Sequence, residues 1–381
     1  MGAVDGHGAG RRRRLVVKIG SATLTTSESS IDYSFLDDLA AQLDAVRRAG
    51  WDVVVVTSAA IACGLEALGI AKRPTDMPSL QAAASVGQSA LSTAYAEAFG
   101  KRDMLTSVVL LTRRDTADRT AYLHARDTLR RLLELDVVPI VNENDTVSVE
   151  QIRFGDNDTL AALVACLIDA DLMVILSDID GLYTANPLVD PAATLIPRVD
   201  RVGRDILAAA GGAVSGVGSG GMITKIKAAR VLMAAGIPLV ICQGRRPACV
   251  VEAAAGEPVG TLFTAPERPH EITPKKLWIA LGDAVHGTLV VDAGARAALV
   301  ERGRSLLPVG IRAVRGSFDY DDIVDVADGT GHVFARGRVG AGSDLIALAC
   351  GKTREELAAN SILAILADKS VIHRDDLVLF E

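Results

Sequence analysis

Apolar and polar positions alternate in blocks along the first two thirds of the chain. Leu15–Ile19 is a short apolar run that reads as a strand, and Trp51–Val56, nearly continuous in valine, reads as a strand buried on both faces. Between them Phe35, Leu36, Leu39, Leu43 and Val46 recur at helical spacing. Asp32 is placed to cap that helix and Gly50 to end it. Ala- and Leu-rich helical segments follow from about Ile61 and Leu80. The pattern then predicts strand Thr106–Leu111, helix Tyr122–Leu135, strand Val137–Val141, helix Thr159–Ala170, strand Leu172–Leu176, a helix near Met222–Ala235 and strand Pro238–Ile241. Strands alternating with helices predict an α/β fold with a mostly parallel sheet sandwiched by helices. Such sheets bind ligands beyond the carboxyl ends of their strands, so the loops there are the place to seek chemistry.

The texture changes near residue 265. Ala265–Pro274 carries three prolines in ten residues and reads as a linker. Beyond it the apolar runs are short and punctuated by glycine: Thr288–Val291, Ile311–Val314, Ile323–Val326 and Val333–Ala335. That spacing predicts a small β-rich domain. The expected organisation is a disordered tail over 1–10, a catalytic domain over 11–264, a linker over 265–275, and the β-rich domain with its C-terminal tail over 276–381.

Composition narrows the classes. Of 381 residues, 49% are hydrophobic and 23% charged, the balance of an ordinary globular protein. No apolar run approaches the ~20 residues of a membrane helix, and Met1–Gly10 lacks the apolar core of a signal peptide. The five cysteines are scattered without CxxC spacing and read as reduced core thiols of a cytoplasmic protein. A net charge of −7 gives no general attraction to nucleic acid or anionic membrane. Arg11–Arg14 reads as a solvated, positively charged lead-in to the first strand. Residues 275–381 hold 13 Lys+Arg against 15 Asp+Glu, which argues against an RNA-binding role for the β-rich domain.

Two motif matches carry no weight. Gly216–Gly221 fits G-x-G-x-x-G but does not follow the first strand of a βαβ unit. Gly351-Lys352-Thr353 ends like a phosphate-binding loop, but Ile346 stands where its first glycine belongs.

Other positions do carry chemistry. Lys18 closes the first strand beside a Gly-Ser turn, where its ammonium either reaches the ligand crevice or leaves for solvent. Asn142–Thr146 (NENDT) and Phe154–Asp158 (FGDND) cluster carboxylates and asparagines after strand ends. Like charges so close repel, and they make sense around bound cations, an ammonium group or lysines; the plainer alternative is turns and caps, with Asp158 as a helix N-cap. Ser177-Asp178 is a polar turn at another carboxyl edge. Gly218–Lys225 opens a helix with glycines, threonine and lysine, a composition suited to phosphate. None of the six histidines lies in these loops, which leaves little for histidine acid–base chemistry. Two lysines, a glycine-rich helix entrance and clustered Asp/Asn describe a phosphoryl-transfer site without a P-loop.

Taken together, Lys18–Ser21, Thr57-Ser58, Asn142–Asp145, Phe154–Asp158, Ser177-Asp178 and Gly220–Lys225 resemble the glutamate 5-kinases, within the amino-acid kinase superfamily. The C-terminal part resembles the PUA domain that many bacterial members carry. The resemblance implies ATP-dependent phosphorylation of the γ-carboxylate of L-glutamate, the first step of proline biosynthesis. It also implies Mg²⁺, feedback inhibition by proline and a homo-oligomer. Carried over by position, Lys18, Asp158 and Lys225 are catalytic, with Asp158 orienting the two lysines. Ser58, Asn142, Asp145 and Asn157 hold glutamate. Lys18, Ser177, Asp178, Ser219, Gly220, Gly221, Met222, Ile223, Thr224 and Lys225 hold ATP, and no residue is assigned to the metal. The other readings are a kinase for acetylglutamate, aspartate or carbamate, and a non-catalytic regulatory or RNA-binding protein. One departure stands out: the family usually has Ser-Gly-Ala after the second strand, and this chain has Ser58-Ala59-Ala60. If that position has positive φ, alanine there costs on the order of 1 kcal/mol.

Overall fold

A computed structural model describes residues 11–26, 30–112, 119–147, 157–211, 221–265, 276, 279–280 and 285–380. The chain divides into two compact units, one within residues 1–265 and one essentially of residues 266–381.

In the first unit the chain runs β1 (Arg13–Ile19), the single turn α1 (Ser21–Leu24), α2 (Tyr33–Arg48), β2 (Trp51–Val56), α3 (Ala60–Ala67), α4 (Met77–Gly100), β3 (Thr106–Leu111), α5 (Arg119–Glu134) and β4 (Val138–Glu143). It continues as α6 (Asp158–Leu167), β5 (Leu172–Ser177), β6 (Arg198–Val199), α7 (Arg204–Gly211), α8 (Met222–Ala234), β7 (Leu239–Gln243), α9 (Cys249–Ala255) and β8 (Thr261–Phe263). The strands form an eight-stranded sheet ordered β3-β4-β2-β1-β5-β7-β8-β6. Pairing is parallel from β3 through β7. Strand β8 then runs antiparallel to β7 and parallel to β6. The hydrophobic pattern anticipated the parallel strands but not β6 or β8, whose two and three residues are too short to show a period.

The core of this unit follows from the pattern. Phe35, Leu36, Leu39, Leu43 and Val46 of α2 are all buried in one cluster with alternate residues of β1 and β2. Asp32 caps α2 by accepting from the Phe35 N–H, 3.0 Å away. Helices α3 and α4 touch backbone to backbone: a Cβ on Gly64 would lie 1.7 Å from the Ala83 carbonyl oxygen, and one on Gly87 1.8 Å from that of Ala60. Only glycine fits at either place.

Arg11, Arg12 and Arg13, at the start of β1, are exposed, as expected of a solvated lead-in, and they also find partners. Arg11 pairs with Asp171 at 3.0 Å, Arg12 with Asp52 and Asp136 at 3.3 Å each, and the Arg13 guanidinium lies 4.1 Å from the centre of the Trp51 ring. They stand at the amino-terminal edge of the sheet, where the starts of β2 and β5 bring acidic and aromatic partners within reach.

The second unit contains β9 (Val285–Val291), α10 (Ala293–Val300), β10 (Ile311–Gly316), β11 (Ile323–Ala327), β12 (Val333–Arg338), α11 (Ser343–Ala349), α12 (Arg354–Ala358) and β13 (Leu377–Leu379). Its five-stranded sheet is ordered β10-β9-β11-β12-β13 and has its own core around Leu289, Val324, Val326, Phe334 and Ile346. The three short helices lie outside the β-rich pattern read from sequence. Thr353, which mimicked the end of a phosphate loop, is the N-cap of α12 and makes a capping box with Glu356. The proposed linker falls largely on residues 266–275, outside the described residues, as does the tail over 1–10.

Candidate active site

Strand β1 has β2 on one side and β5 on the other, with the chain filling one flank before the other. That is a topological switch point, where an α/β sheet opens a crevice. Two clusters of polar side chains meet at this edge.

The first cluster is ionic. Lys18 is the penultimate residue of β1, in register with Val56 of β2 and Ile175 of β5. Its Nζ lies 2.6 Å from Asp158 Oδ1, and the Nζ of Lys225, in the first turn of α8, lies 3.2 Å from Asp158 Oδ2. The Thr224 hydroxyl donates to the same Oδ2 at 2.8 Å. Asp158 has no exposed surface and both lysines are buried. Burial pushes the Asp158 carboxyl up, but the Lys18 and Lys225 ammoniums and the hydrogen bonds from Lys18 and Thr224 outweigh it and hold the group far below the usual carboxylate range. One carboxylate thus sets two cations side by side, which alone would repel. Asp158 is not the N-cap that the sequence allowed it to be. Asn157 occupies the cap position without a capping bond, Asp158 is the first helical residue, and its oxygens face the lysines.

The second cluster is made of amides and hydroxyls. The Asn157 amide nitrogen donates to the Thr57 carbonyl, to Asn142 Oδ1 at 2.9 Å and to Ser58 Oγ at 3.2 Å. Asn142 in turn donates to Gln88 Oε1 at 2.9 Å. The Thr57 and Tyr95 hydroxyls are 2.9 Å apart. Asn142 and Asn157 are buried. Ser58, Asn142 and Asn157 are therefore brought together, and the peptide bond between Asn157 and Asp158 joins this cluster to the ionic one.

The remaining candidates are more dispersed. Asp145 lies in the turn after β4, and no hydrogen bond or ion pair among the described residues joins it to Ser58, Asn142 or Asn157. Burial pushes its carboxyl up to about 6, with the Arg73 guanidinium pulling the other way. Ser177 ends β5, is buried, and its hydroxyl donates to Asp178 Oδ1 at 3.0 Å; Asp178 itself is exposed. Because Leu176 pairs with Ile19, Ser177 sits one residue beyond the strand pair that carries Lys18. Gly221 precedes α8, and Met222, Ile223 and Thr224 form its first turn. Ser219 and Gly220 lie outside the described residues, as does Asp156 of the second acidic cluster.

Ala59, where the resemblance leads one to expect glycine, has φ 76° and ψ 8°. This is the left-handed region, strained for alanine by about 1 kcal/mol. It is the cap residue of α3, directly after Ser58. Gln88 and Arg73 are the residues that sequence reasoning missed at the site, and Thr57 was quoted in a motif without a role. The thread to Gln88 runs through helix packing, which a linear pattern does not display.

Comparison with known proteins follows the same division of the chain. Residues 13–243 match the amino acid kinase family and residues 287–359 match the PUA domain. The glutamate 5-kinase of Geobacter sp. (strain M21) is 45% identical over 367 residues, covering 96% of this chain and 97% of that protein. The glutamate 5-kinase of Azoarcus sp. (strain BH72) is 47% identical over 367 residues, covering 96% and 98%. Among solved structures, UMP kinase from Ureaplasma parvum aligns with 67% of this chain at 17% identity and a TM-score of 0.47.

Proposed function

The chain belongs to the amino acid kinase family, among its glutamate 5-kinases, and from that premise we propose that Lys18, Asp158 and Lys225 form the phosphoryl-transfer centre of an enzyme that phosphorylates the γ-carboxylate of L-glutamate with ATP. The product is L-glutamyl 5-phosphate, at the entry to proline biosynthesis. The observation that carries this reading is the single buried carboxylate bridging two lysines beside an amide cluster.

The chemistry suits the residues. A glutamate side chain, with a pKa of about 4.3, is already ionised at neutral pH. Its oxygen needs no general base to attack the γ-phosphorus, and the bond to the ADP oxygen breaks as the new one forms. The obstacle is bringing one anion to another. Lys18 and Lys225 offset the charge on the phosphoryl oxygens, and Asp158 keeps the two ammoniums at fixed spacing without taking a proton. Ser58, Asn142 and Asn157 offer hydrogen bonds to glutamate, and Asp145 a charge for its α-ammonium. Ser177, Asp178 and residues 219–224 hold ATP with the two lysines, the start of α8 turning its N–H groups toward phosphate. Mg²⁺ fits this donor set as an ion carried chiefly by the ATP phosphates, because the Asp158 oxygens are already taken by cations. Proline feedback and a homo-oligomer are proposed from the resemblance alone, and a cytoplasmic location from the scattered cysteines. No nucleic-acid partner is proposed.

The test is a hydroxylamine trap for acyl phosphate with Mg-ATP and, in turn, L-glutamate, L-aspartate and N-acetyl-L-glutamate. Hydroxamate from glutamate alone, lost in Lys225→Ala, is the expected result. No product from glutamate at high concentration would sink the assignment.

A further inference from the structure

Resting on that reading, we propose that Gln88, on α4 and outside every motif that marks the site, is a positioning residue that fixes which way the amides of Asn142 and Asn157 face, and so sets the affinity for the amino acid substrate.

The argument is one of hydrogen-bond direction. A side-chain amide has an accepting end and a donating end of nearly equal size, so its orientation follows from its partners. Here both ends of a chain of partners are backbone carbonyls, which only accept. At one end the Ser92 hydroxyl lies 2.7 Å from the Gln88 carbonyl oxygen and must donate to it. Its proton is then committed, and the Ser92 oxygen accepts from Gln88 Nε2 at 3.3 Å. Gln88 Oε1 therefore faces Asn142, which donates to it at 2.9 Å. Asn142 Oδ1 is left to accept from Asn157 Nδ2, also at 2.9 Å. At the other end the same Asn157 nitrogen donates to the Thr57 carbonyl. The two anchors demand the same polarity, so no member can flip alone without setting two like groups against each other. Both asparagines are buried, where such a mismatch is costly.

The direction matters for the ligand. With its nitrogen committed to Thr57, Asn142 and Ser58, Asn157 turns its carbonyl oxygen the other way. An oxygen attracts an ammonium group; an amide nitrogen in the same place would repel it. Gln88 reaches Asn142 because α4 lies against α3 at Gly87, the neighbouring residue, where any Cβ would collide with the Ala60 carbonyl. The helix contact thus brings a remote side chain to the substrate end of the site.

The test compares Gln88→Leu, which removes the acceptor, with Gln88→Glu, which keeps one, using steady-state kinetics of the full chain with glutamate and ATP varied separately. Gln88→Leu is expected to raise KM for glutamate by about tenfold, the effect of leaving one buried donor unmet, with KM for ATP and kcat within about twofold. Gln88→Glu is expected to recover most of the glutamate affinity, and Ser92→Ala to show a smaller rise of the same kind. Urea unfolding of each variant separates this from loss of structure. A Gln88→Leu enzyme with unchanged KM for glutamate overturns the proposal, as does a parallel fall in kcat and both affinities that Gln88→Glu fails to restore. If Gln88→Leu does not fold, a wild-type KM in Ser92→Ala together with a raised one in Gln88→Glu overturns it. A wild-type chain that makes no acyl phosphate from glutamate overturns the functional reading first and the role of Gln88 with it.

Discussion

The two ends of the candidate site are built from different materials. At the phosphate end three ionised groups are buried together, and one carboxylate holds two lysines by charge. At the substrate end Ser58, Asn142, Asn157 and Gln88 are neutral and hold one another by hydrogen bonds whose direction is forced. The contrast suits the two tasks. Charge that accumulates in a transition state is best met by charge already in place. An amino acid that must enter and leave is met mainly by neutral groups; Asp145, the carboxyl assigned to its ammonium, is pushed toward the neutral form by burial, since an unpaired buried charge is costly. Changes at the ionic end are therefore expected to lower kcat, and changes at the amide end to raise KM for glutamate.

The strongest break is Asp158→Asn. It leaves two buried lysines sharing a neutral amide, and kcat is expected to fall by about a thousandfold or more, measured by hydroxamate formation at saturating substrates. Stability near neutral pH is expected to fall with it, and the deficit to shrink in acid. A carboxyl held below its ordinary pKa lends the folded state stability that is present above the unfolded-state value and lost as the pH drops through the acid range below it. Unfolding curves of the variant should lose that part of the pH dependence.

Lys225→Ala removes one cation but leaves Lys18 on Asp158, so a fall in kcat of about a hundredfold is expected. Near-normal KM for glutamate in this variant would keep the two ends distinct. A rise in KM as large as the fall in kcat would erase the distinction.

Asp145 offers a milder probe at the substrate end. Its carboxyl, pushed up to about 6 by burial, is ionised only above that pH in the empty site. An ammonium group favours the ionised form. The KM for glutamate is expected to be flat above about pH 6 and to rise toward tenfold per pH unit below it, while kcat follows a different profile. Asp145→Asn should remove the break, with a KM above the wild-type value at neutral pH.

The smallest effect belongs to Ala59→Gly. Relief of the left-handed strain, less the extra freedom glycine gives the unfolded chain, leaves a gain of about 0.5 kcal/mol. Urea unfolding would register it. Unchanged kcat would show that the strained alanine burdens the fold rather than the phosphate end.

The ionic end was largely readable in advance because its members are unusual where they stand. The lysine in a first helical turn and the clustered acids broke local preferences, whereas Asp158 as the partner of both lysines came from the family resemblance; the structure brings Lys18, Lys225 and Asp158 together. The amide end was readable only in part. Ser58, Asn142 and Asn157 came from the family resemblance, whereas Gln88 looks in sequence like any polar residue of an Ala-rich helix. Its role depends on α4 meeting α3 at Gly64 and Gly87, a packing event between segments with no period in common. Arg73 near Asp145 was hidden for the same reason. In the fold, long periodic segments such as α2 and β2 were plain. The short strands β6 and β8 and the small helices of the second unit were not, since tertiary pairing rather than local pattern makes them.

Asn157 and Asp158 are consecutive, so one peptide bond separates the residue proposed to hold glutamate from the carboxylate that holds the two lysines. Neighbouring Cα atoms across a trans peptide are about 3.8 Å apart and cannot be stretched. The pair acts as a ruler. An acid one methylene shorter than glutamate, gripped at the same amides, brings its carboxylate about 1 Å short of the phosphorus, a gap that alone can cost a hundredfold in rate. On the proposed reading, selection by length then needs no wall at the end of the pocket: a shorter acid is expected to enter, bind and be left out of reach.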